Sequence, residues 1–480
     1  MDIKVYQTHT EISPYEINSV PKLEKMLSKY EAVRHKYIPI GYYYDNDSKT
    51  LYLPKGVSTL LLQKFFGNII TPNRFDEYER IDKYNMLYEP RDKIQNEAIA
   101  FLTSSDRFNK GCMYSQFGLN LDTGDGKTFC MIYSIMQMRI KTIVITHKQS
   151  IKDQWLKSFL TMTDIPENKI FDISGSHEID QIVNGKISAD IYLVNHQTFT
   201  SYAKRHGWES IRELFKIMKV GIKVVDESHK FFENSLMIDY FSNVYRSYYL
   251  TATFTRSDQT EVKIYKLAYS SLYRFGEETF NYEEKRKHIV LVVVNYHTRP
   301  TIQDTANMSS GYGFSNYKFI DYALKEPDDT MMRILEKIIN DTKNLKGKTL
   351  IISPKVASVE YIAKHLANMT DKSIGTVHSK NSIDENNKSR NSDIISSTIK
   401  SIGEGDDIKG LRVLINLEPI GSRALADQLR GRLREYSEDD DTFMFYLVDN
   451  AIPECTAFLK RIMPVMKKKC KEIIIANVDI

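Results

Sequence analysis

The sequence predicts an α/β protein made of two tandem parallel-sheet domains that follow a small N-terminal α+β accessory domain. A length of 480 residues suggests about three domains. Short apolar strands alternate with helical stretches in two successive blocks after residue 86, which favours parallel sheets. A glycine-rich turn lies between a strand and a helix in the first block. We place the domains at residues 1–85, 86–278 and 279–480.

Composition narrows the class of protein. The net charge is only +4, so a nucleic-acid partner requires local basic patches rather than a basic chain. The cysteines form no C-x-x-C pair, which argues against a metal knuckle or a disulfide framework and fits a reducing compartment: Cys112, Cys130, Cys455 and Cys470. The N-terminus has no apolar signal core and no apolar run is long enough to cross a bilayer. We therefore expect no membrane association and a cytoplasmic location, in the host cytoplasm if the protein is viral.

Residues 1–85 contain no nucleotide motif. Residues 20–33 have an amphipathic pattern typical of a helix, 37–54 indicate two strands around a D-N-D-S turn, and 57–67 indicate another helix. The tyrosines and lysines of this region could form a DNA-binding face, although ordinary exposed tyrosine on a small sheet is the simpler explanation.

Residues 87–102 are predicted to form a helix that starts near Pro90. Arg91 and Gln95 are four residues apart and would share one helical face. A glutamine amide can pair with both the donor and the acceptor edge of adenine. The alternative is a solvated helix face.

The segment LDTGDGKT, residues 121–128, predicts a phosphate-binding loop. Thr123, Gly124, Asp125 and Gly126 form the turn, in which glycine allows backbone torsions that other residues resist. Lys127 can reach β- and γ-phosphates, and the Thr128 hydroxyl can ligate Mg²⁺. The full pattern has a glycine where Leu121 stands, so an ordinary strand–turn–helix is the alternative reading.

Buried strands are predicted at 141–146, 169–173, 190–195 and 221–226. The last strand ends in Asp226 and Glu227, at the edge where open α/β sheets bind ligands. Asp226 can hold Mg²⁺ through water, and Glu227 can accept a proton from the water that attacks the γ-phosphate. A charged helix start is the alternative, but the order of loop and acid pair favours nucleotide hydrolysis.

The rest of the chain indicates a second α/β layer without a phosphate loop. We expect a linker at 257–288, a strand at 288–296, an exposed loop at 297–318 and a basic helical end at 458–473. Asp407 follows a glycine turn and could contact a ribose or a phosphate-sensing arginine. Gln428 precedes Arg430, Arg432 and Arg434, an arginine set too dense for a buried helix. These arginines could stabilise charge on a γ-phosphate, or they could form a solvated basic face.

Taken together, these motifs resemble those of superfamily 2 helicases of the DExH type over residues 86–450. The matching segments are LDTGDGKT, TIVITHKQSIKDQW, DESH, TAT, TIKSIGEGDDI and QLRGRLRE. The nearer resemblance is to phage recombination and repair helicases of the UvsW type. The XPB-like and poxvirus transcript-release helicases are also similar. In those groups the small N-terminal region contributes to binding branched or distorted nucleic acid.

The resemblance implies two RecA-like domains that use ATP and Mg²⁺, and it implies roles for individual residues. It implies that His229, Thr251 and Thr253 couple ATP hydrolysis to movement along the nucleic acid. Less directly, Lys148, Ser174 and Thr198 lie near segments that bind the nucleic-acid backbone. In the final motif Glu435 stands where an arginine is usual, so the charge-stabilising arginine is either Arg432 or Arg434.

We therefore expect an ATP-dependent DNA helicase or translocase that acts on forked or branched DNA in replication, recombination or repair. Phosphate contacts should dominate, which makes binding salt-sensitive and nearly independent of sequence. The alternatives are an RNA- or transcription-directed helicase, a restriction-type translocase, and a non-catalytic nucleic-acid-binding protein. Lys127, Asp226 and Glu227 argue against the last of these.

Overall fold

Two seven-stranded sheets organise the chain, one in each of two units that span Met1–Asn281 and Tyr282–Ile480. The computed structural model describes residues 2–31, 34–66, 71–72, 75–104, 107–108, 112–113, 115–121, 124–228, 230–251, 259–275, 287–310, 313–402, 408–437 and 440–478. Within this part of the chain, no helix is both long enough and apolar enough to cross a membrane.

The first unit begins with a small, mainly antiparallel sheet. Its elements are β1 (Asp2–Val5), β2 (His9–Ser13), α1 (Pro21–Met26), β3 (Ser28–Glu31), β4 (Lys36–Pro39), β5 (Tyr43–Asp45), β6 (Thr50–Pro54), α2 (Thr59–Phe66) and β7 (Thr71–Pro72). The sheet has the order β5–β6–β2–β1–β7, and β3 pairs with β4 in a separate hairpin.

The helix predicted for residues 20–33 is wrong beyond Met26. The Leu27 N–H closes the last helical turn on the Glu24 carbonyl, and the next residues pair with β4 instead of continuing the helix. Cross-strand pairing overrides the amphipathic pattern here. The D-N-D-S turn is confirmed, because the Asp45 carboxylate accepts hydrogen bonds from the Asp47 N–H and the Ser48 hydroxyl.

This N-terminal sheet shares a hydrophobic core with the first parallel sheet. Ile12 and Leu51 belong to the same buried cluster as Ile143 and Tyr249. The shared interior explains why residues 1–85 fall within the first unit. A separate accessory domain that ends at residue 85 stays a prediction.

The predicted parallel sheet of the first unit is confirmed. After α3 (Lys93–Thr103) and a short hairpin of β8 (Arg107–Phe108) and β9 (Cys112–Met113), its strands are β10 (Gln116–Asn120), β11 (Thr142–Thr146), β12 (Ile170–Ile173), β13 (Ile191–Asn195), β14 (Ile222–Asp226), β15 (Arg246–Thr251) and β16 (Tyr273–Phe275). The order is β12–β13–β11–β14–β15–β10–β16, and every pairing is parallel.

The helices that accompany this sheet connect its strands. They are α4 (Lys127–Met138), α5 (Gln149–Met162), α6 (Ser176–Val183), α7 (His196–His206), α8 (Glu209–Met218), α9 (Phe232–Tyr240) and α10 (Gln259–Ala268). The linker predicted at 257–288 is wrong in part, because α10 and β16 lie within it. Ile264 and Tyr265 of α10 are buried, so the helix owes its place to packing.

The second unit repeats the parallel arrangement. Its strands are β17 (Ile289–Tyr296), β18 (Ser309–Ser310), β19 (Gly313–Phe314), β20 (Lys348–Ile352), β21 (Ile374–Val377), β22 (Ile394–Ser397), β23 (Leu411–Asn416), β24 (Thr442–Asp449) and β25 (Glu472–Asn477). The main sheet has the order β21–β22–β20–β23–β24–β17–β25 with parallel pairing throughout.

Helices in the second unit correct two expectations. They are α11 (Ile302–Met308), α12 (Asn316–Ala323), α13 (Thr330–Asp341), α14 (Val356–Ala367), α15 (Ile383–Ser389), α16 (Arg423–Arg430) and α17 (Pro453–Lys469). The exposed loop expected at 297–318 contains α11, which starts with a capping box at Thr301, and the start of α12. The basic tail is helical only to Lys469, after which β25 pairs with β17.

Candidate functional site

The glycine turn connects β10 to α4. Gly124 and Gly126 have φ of 96° and 87°, in the left-handed region that favours glycine, and α4 begins at Lys127. A helix that begins directly after such a turn presents unpaired N–H groups to an anion. Thr123 lies outside the described residues, whereas Thr128 is half-buried in the first turn of α4.

Gln95 is bonded into this turn. Its Nε2 donates to the Asp125 carbonyl at 3.2 Å, and its Oε1 accepts from the Arg91 N–H at 3.0 Å. A Cβ atom at Gly126 would lie 2.4 Å from Gln95 Nε2. A side chain at position 126 would therefore have to displace Gln95, and the positive φ of Gly126 disfavours any residue other than glycine.

The predicted start of this helix is wrong. α3 begins at Lys93, because the Asp92 carboxylate caps it by accepting from the Gln95 N–H at 2.8 Å. Arg91 therefore precedes the helix and does not share a helical face with Gln95. Both residues still lie at the glycine turn, where Arg91 Nη2 is 4.0 Å from Asp125 Oδ1.

Lys127 and Asp226 lie at the same edge of the first parallel sheet, after β10 and at the end of β14. Lys127 Nζ donates to the Leu121 carbonyl at 2.6 Å. Burial raises the pKa of the Asp226 carboxyl, the charge of Glu227 raises it further, and the charge of Lys127 acts in the opposite direction. The structure thus joins the two motifs that the sequence predicts to act on one nucleotide.

Trp155 is a site residue whose role the sequence alone did not reveal. Its Nε1–H donates to Asp226 Oδ2 at 2.8 Å, and its ring is 1% exposed. The indole therefore fixes the carboxylate while leaving Asp226 Oδ1 to accept from the Glu227 N–H at 2.9 Å. The Gln154-Trp155 pair was part of the helicase resemblance, and that pair is the signal that could have identified it.

Glu227 has φ of 50°, in the left-handed region. Such a backbone is costly for a residue with a side chain, so neighbouring contacts must hold it. The Lys230 N–H bonds to the Glu227 carbonyl, and the Ser228 N–H bonds to the Leu250 carbonyl of β15. These bonds fix the loop that carries the proposed base.

Thr251 ends β15 and is fully buried. Its register partner on β10 is Asn120, the last strand residue before the glycine turn. Thr251 is therefore at the same sheet edge as Asp226. His229 and Thr253, which the resemblance also assigns to coupling, lie outside the described residues.

The predicted nucleic-acid contacts follow three neighbouring strands. Lys148 is exposed at the start of α5, Ser174 is exposed after β12, and Thr198 is half-buried in the first turn of α7. Because β11, β13 and β12 are adjacent and parallel, these residues lie along one edge of the sheet. Their contact with nucleic acid stays a prediction.

The arginines of the second unit have different environments. Arg430 is buried at the end of α16, where its Nε donates to Asp427 Oδ1 at 2.9 Å. Lys469 of α17 donates to the other oxygen of Asp427 at 2.7 Å. The expectation that these arginines are too dense for a buried helix is thus wrong for Arg430.

The other predicted site residues of the second unit are more accessible. Arg432 is half-buried and Arg434 is exposed, and both lie in the turn after α16. Gln428 is half-buried, and Asp407 lies outside the described residues.

Part of the first unit is similar in sequence to a known protein family. Residues 88–256 match the family described as the res subunit of type III restriction enzymes. No curated protein matches the chain in sequence.

Solved structures of Dbp5 from S. cerevisiae are similar in fold. Dbp5 bound to RNA and ADP BeF3 is 13% identical over 80% of this chain and 89% of that chain, with a TM-score of 0.53. A Dbp5 variant bound to RNA and ADP BeF3 is 13% identical over 81% and 90%, with a TM-score of 0.53. A Dbp5 variant bound to a Gle1 variant and IP6 is 13% identical over 81% and 89%, with a TM-score of 0.51.

The fold is that of two tandem RecA-like domains with an additional N-terminal sheet. The family match spans the glycine turn and the acid-tipped strand, and with the fold it supports an ATP-dependent helicase of superfamily 2. The UvsW and XPB-like types are not distinguished by these matches and stay predictions.

Proposed function

We propose that this protein is an ATP-dependent DNA helicase or translocase that unwinds or branch-migrates forked and branched DNA. The proposal rests on the position of Lys127 and Asp226 at one edge of the first parallel sheet, where Trp155 holds the half-buried Asp226 by a hydrogen bond. A phosphate-binding lysine and a metal-binding acid are the pair that nucleotide hydrolysis needs at one sheet edge.

The residues present fit Mg²⁺ and ATP. Gly124, Asp125 and Gly126 form a backbone turn, and a Cβ atom at position 126 would lie 2.4 Å from Gln95 Nε2. In our proposal Thr128 and Asp226 hold Mg²⁺, which when bound neutralises charge on the phosphates. Glu227 orients the attacking water and accepts its proton.

The remaining assignments are proposals on the same basis. Thr123, Arg91, Gln95, Asp407 and Gln428 are assigned to the nucleotide. Arg432 or Arg434 supplies positive charge in the transition state, and His229, Thr251 and Thr253 couple hydrolysis to movement. Lys148, Ser174 and Thr198 contact the backbone of a nucleic-acid strand.

The β3–β4 hairpin supports a nucleic-acid contact in the N-terminal region. Tyr30 and Tyr37 are 44% and 46% exposed, and their ring centroids are 5.2 Å apart. Lys25 Nζ lies 4.9 Å from the Tyr37 ring centroid. Exposed aromatic rings beside lysine suit bases and phosphates of an unpaired strand.

A second candidate function is an RNA-directed helicase, because two of the similar Dbp5 structures contain RNA. ATP turnover should be measured with single-stranded DNA, forked DNA and RNA at several salt concentrations. We expect forked DNA to stimulate most. Stimulation by RNA alone would favour the second candidate, and ATP turnover without unwinding or remodelling of forks would refute the first.

A further inference from the structure

Phe231 lies between the proposed hydrolysis site and the proposed nucleic-acid edge. It is four residues after Glu227 and directly precedes α9. Its ring stacks on His147 at 5.1 Å between centroids and meets the edge of His196 at 4.2 Å. Three separate loops of the first unit therefore meet at this one side chain.

The two histidines belong to the loops that carry the proposed nucleic-acid contacts. His147 is adjacent to Lys148, and His196 opens the helix that contains Thr198. Both imidazoles are about 95% buried, since His147 is 5% and His196 is 4% exposed. A movement of either loop on a bound strand would therefore press on the Phe231 ring, because a close-packed interior transmits displacement.

These two loops are also tied to each other. The Thr146 hydroxyl donates to Asn195 Oδ1 at 2.7 Å, and Asn195 Nδ2 donates to Gln149 Oε1 at 3.2 Å. Because of these hydrogen bonds, the loops that contain His147 and His196 would move together relative to Phe231.

On the other side, Phe231 follows the turn that begins at the proposed base, Glu227. The turn from Glu227 to Lys230 is closed by one backbone hydrogen bond, so only this turn separates the two side chains. Glu227 is held in the left-handed region, so a small movement of the turn changes where its carboxylate points.

We infer that Phe231, held between His147 and His196, is a positioning residue that transmits nucleic-acid occupancy at the Lys148–Thr198 edge to Glu227. This inference rests on the proposed function. It assigns nucleic-acid stimulation of ATP turnover to an aromatic contact rather than to any residue that touches the nucleotide.

The test compares Phe231→Ala with wild type in ATP turnover over a range of single-stranded and forked DNA concentrations. We expect the basal rate and the DNA affinity to stay near wild type, while the ratio of stimulated to basal rate falls about tenfold. Phe231→Trp should restore most of the ratio because it keeps an aromatic ring. Phe65→Ala, which removes another half-buried ring of the same unit, is the matched control.

The unfolding temperature of each variant separates coupling from stability. If Phe231→Ala does not fold, Phe231→Leu takes its place, because it keeps most of the volume without the ring. An unchanged ratio, or an equal loss of basal and stimulated rates, would overturn the inference. Absence of stimulation in the wild type would instead overturn the proposed function.

Discussion

At the scale of single residues, Gly126 and Gln95 determine whether the phosphate loop can form. Gly126→Ala should weaken nucleotide binding by at least about tenfold, since the left-handed backbone costs about 1–2 kcal/mol with a side chain and the new Cβ displaces Gln95. Binding of a fluorescent ATP analogue measures this effect.

Gly185→Ala is the control for Gly126→Ala. Gly185 has φ of 70° but nothing within 4 Å of a Cβ atom. It should lose about 1 kcal/mol of stability and bind nucleotide normally. Equal binding by both variants would contradict the account of the loop.

Glu227→Gln should bind ATP but hydrolyse it about 10²–10⁴-fold more slowly, because the amide cannot accept the proton of the attacking water. Single-turnover hydrolysis, measured beside analogue binding, separates the two steps. Normal turnover would remove Glu227 as the base.

The sequence predicts the site residues that belong to a motif, but it does not predict which other residues contact them. Lys127, Asp226 and Glu227 were predicted because their chemistry is local to a turn and a strand end. The contact of Trp155 with Asp226 joins residues 71 positions apart and depends on the order of the strands. Arg91 was misplaced because one cap, Asp92, decides where α3 begins.

At the scale of elements, the arginine at the end of α16 and the two arginines that follow it have different roles. Arg430 is buried and stabilises the fold, whereas Arg432 and Arg434 are more accessible. Arg430→Ala should lower the free energy of unfolding of the second unit by about 2 kcal/mol, because it removes one of the two buried cations that pair with Asp427, while Lys469 remains. Arg432→Ala and Arg434→Ala should leave stability nearly unchanged. One of them should slow hydrolysis by about 10³-fold.

Thermal unfolding and steady-state kinetics of the three arginine variants measure both effects. Unchanged hydrolysis by both Arg432→Ala and Arg434→Ala, or wild-type stability of Arg430→Ala, would contradict these roles of the arginines.

Acid should loosen the attachment of β2 to the rest of the first unit. Burial alone would raise the pKa of Glu11, but its contacts with His9 and Arg212 outweigh burial and lower it from 4.5 to about 2. The stabilisation is therefore present above pH 4.5 and is lost as pH falls toward 2.

Glu11→Gln should unfold about 5 °C below wild type at pH 6, and this gap should close by about pH 2. Melting curves across this range measure it. Glu16→Gln, at an exposed glutamate of the same region, is the control. A gap that does not depend on pH would contradict the ion pair.

The sequence predicts the elements that contain a continuous apolar run, but it does not predict short or exposed elements. β11, β13 and β14 are fully or almost fully buried, and their Val and Ile runs indicate strands directly. β25 is mostly exposed and follows a basic helix, so its pattern carries little signal, and only pairing with β17 makes it a strand.

At the scale of the whole molecule, the two parallel sheets were predicted from alternation, and the association of the N-terminal sheet was not. His9 and Glu11 look like ordinary polar residues in the sequence, yet both are buried beside Arg212 of α8. A contact between residues 201 positions apart has no local signal.

Strand displacement from forked DNA in the presence of ATP, measured for wild type and for Lys127→Ala, tests whether ATP hydrolysis at this site drives unwinding. We expect ATP-dependent displacement by wild type and none by Lys127→Ala, which should still bind the fork. Displacement by Lys127→Ala at the wild-type rate, or none by wild type on forks and four-way junctions, would contradict this expectation.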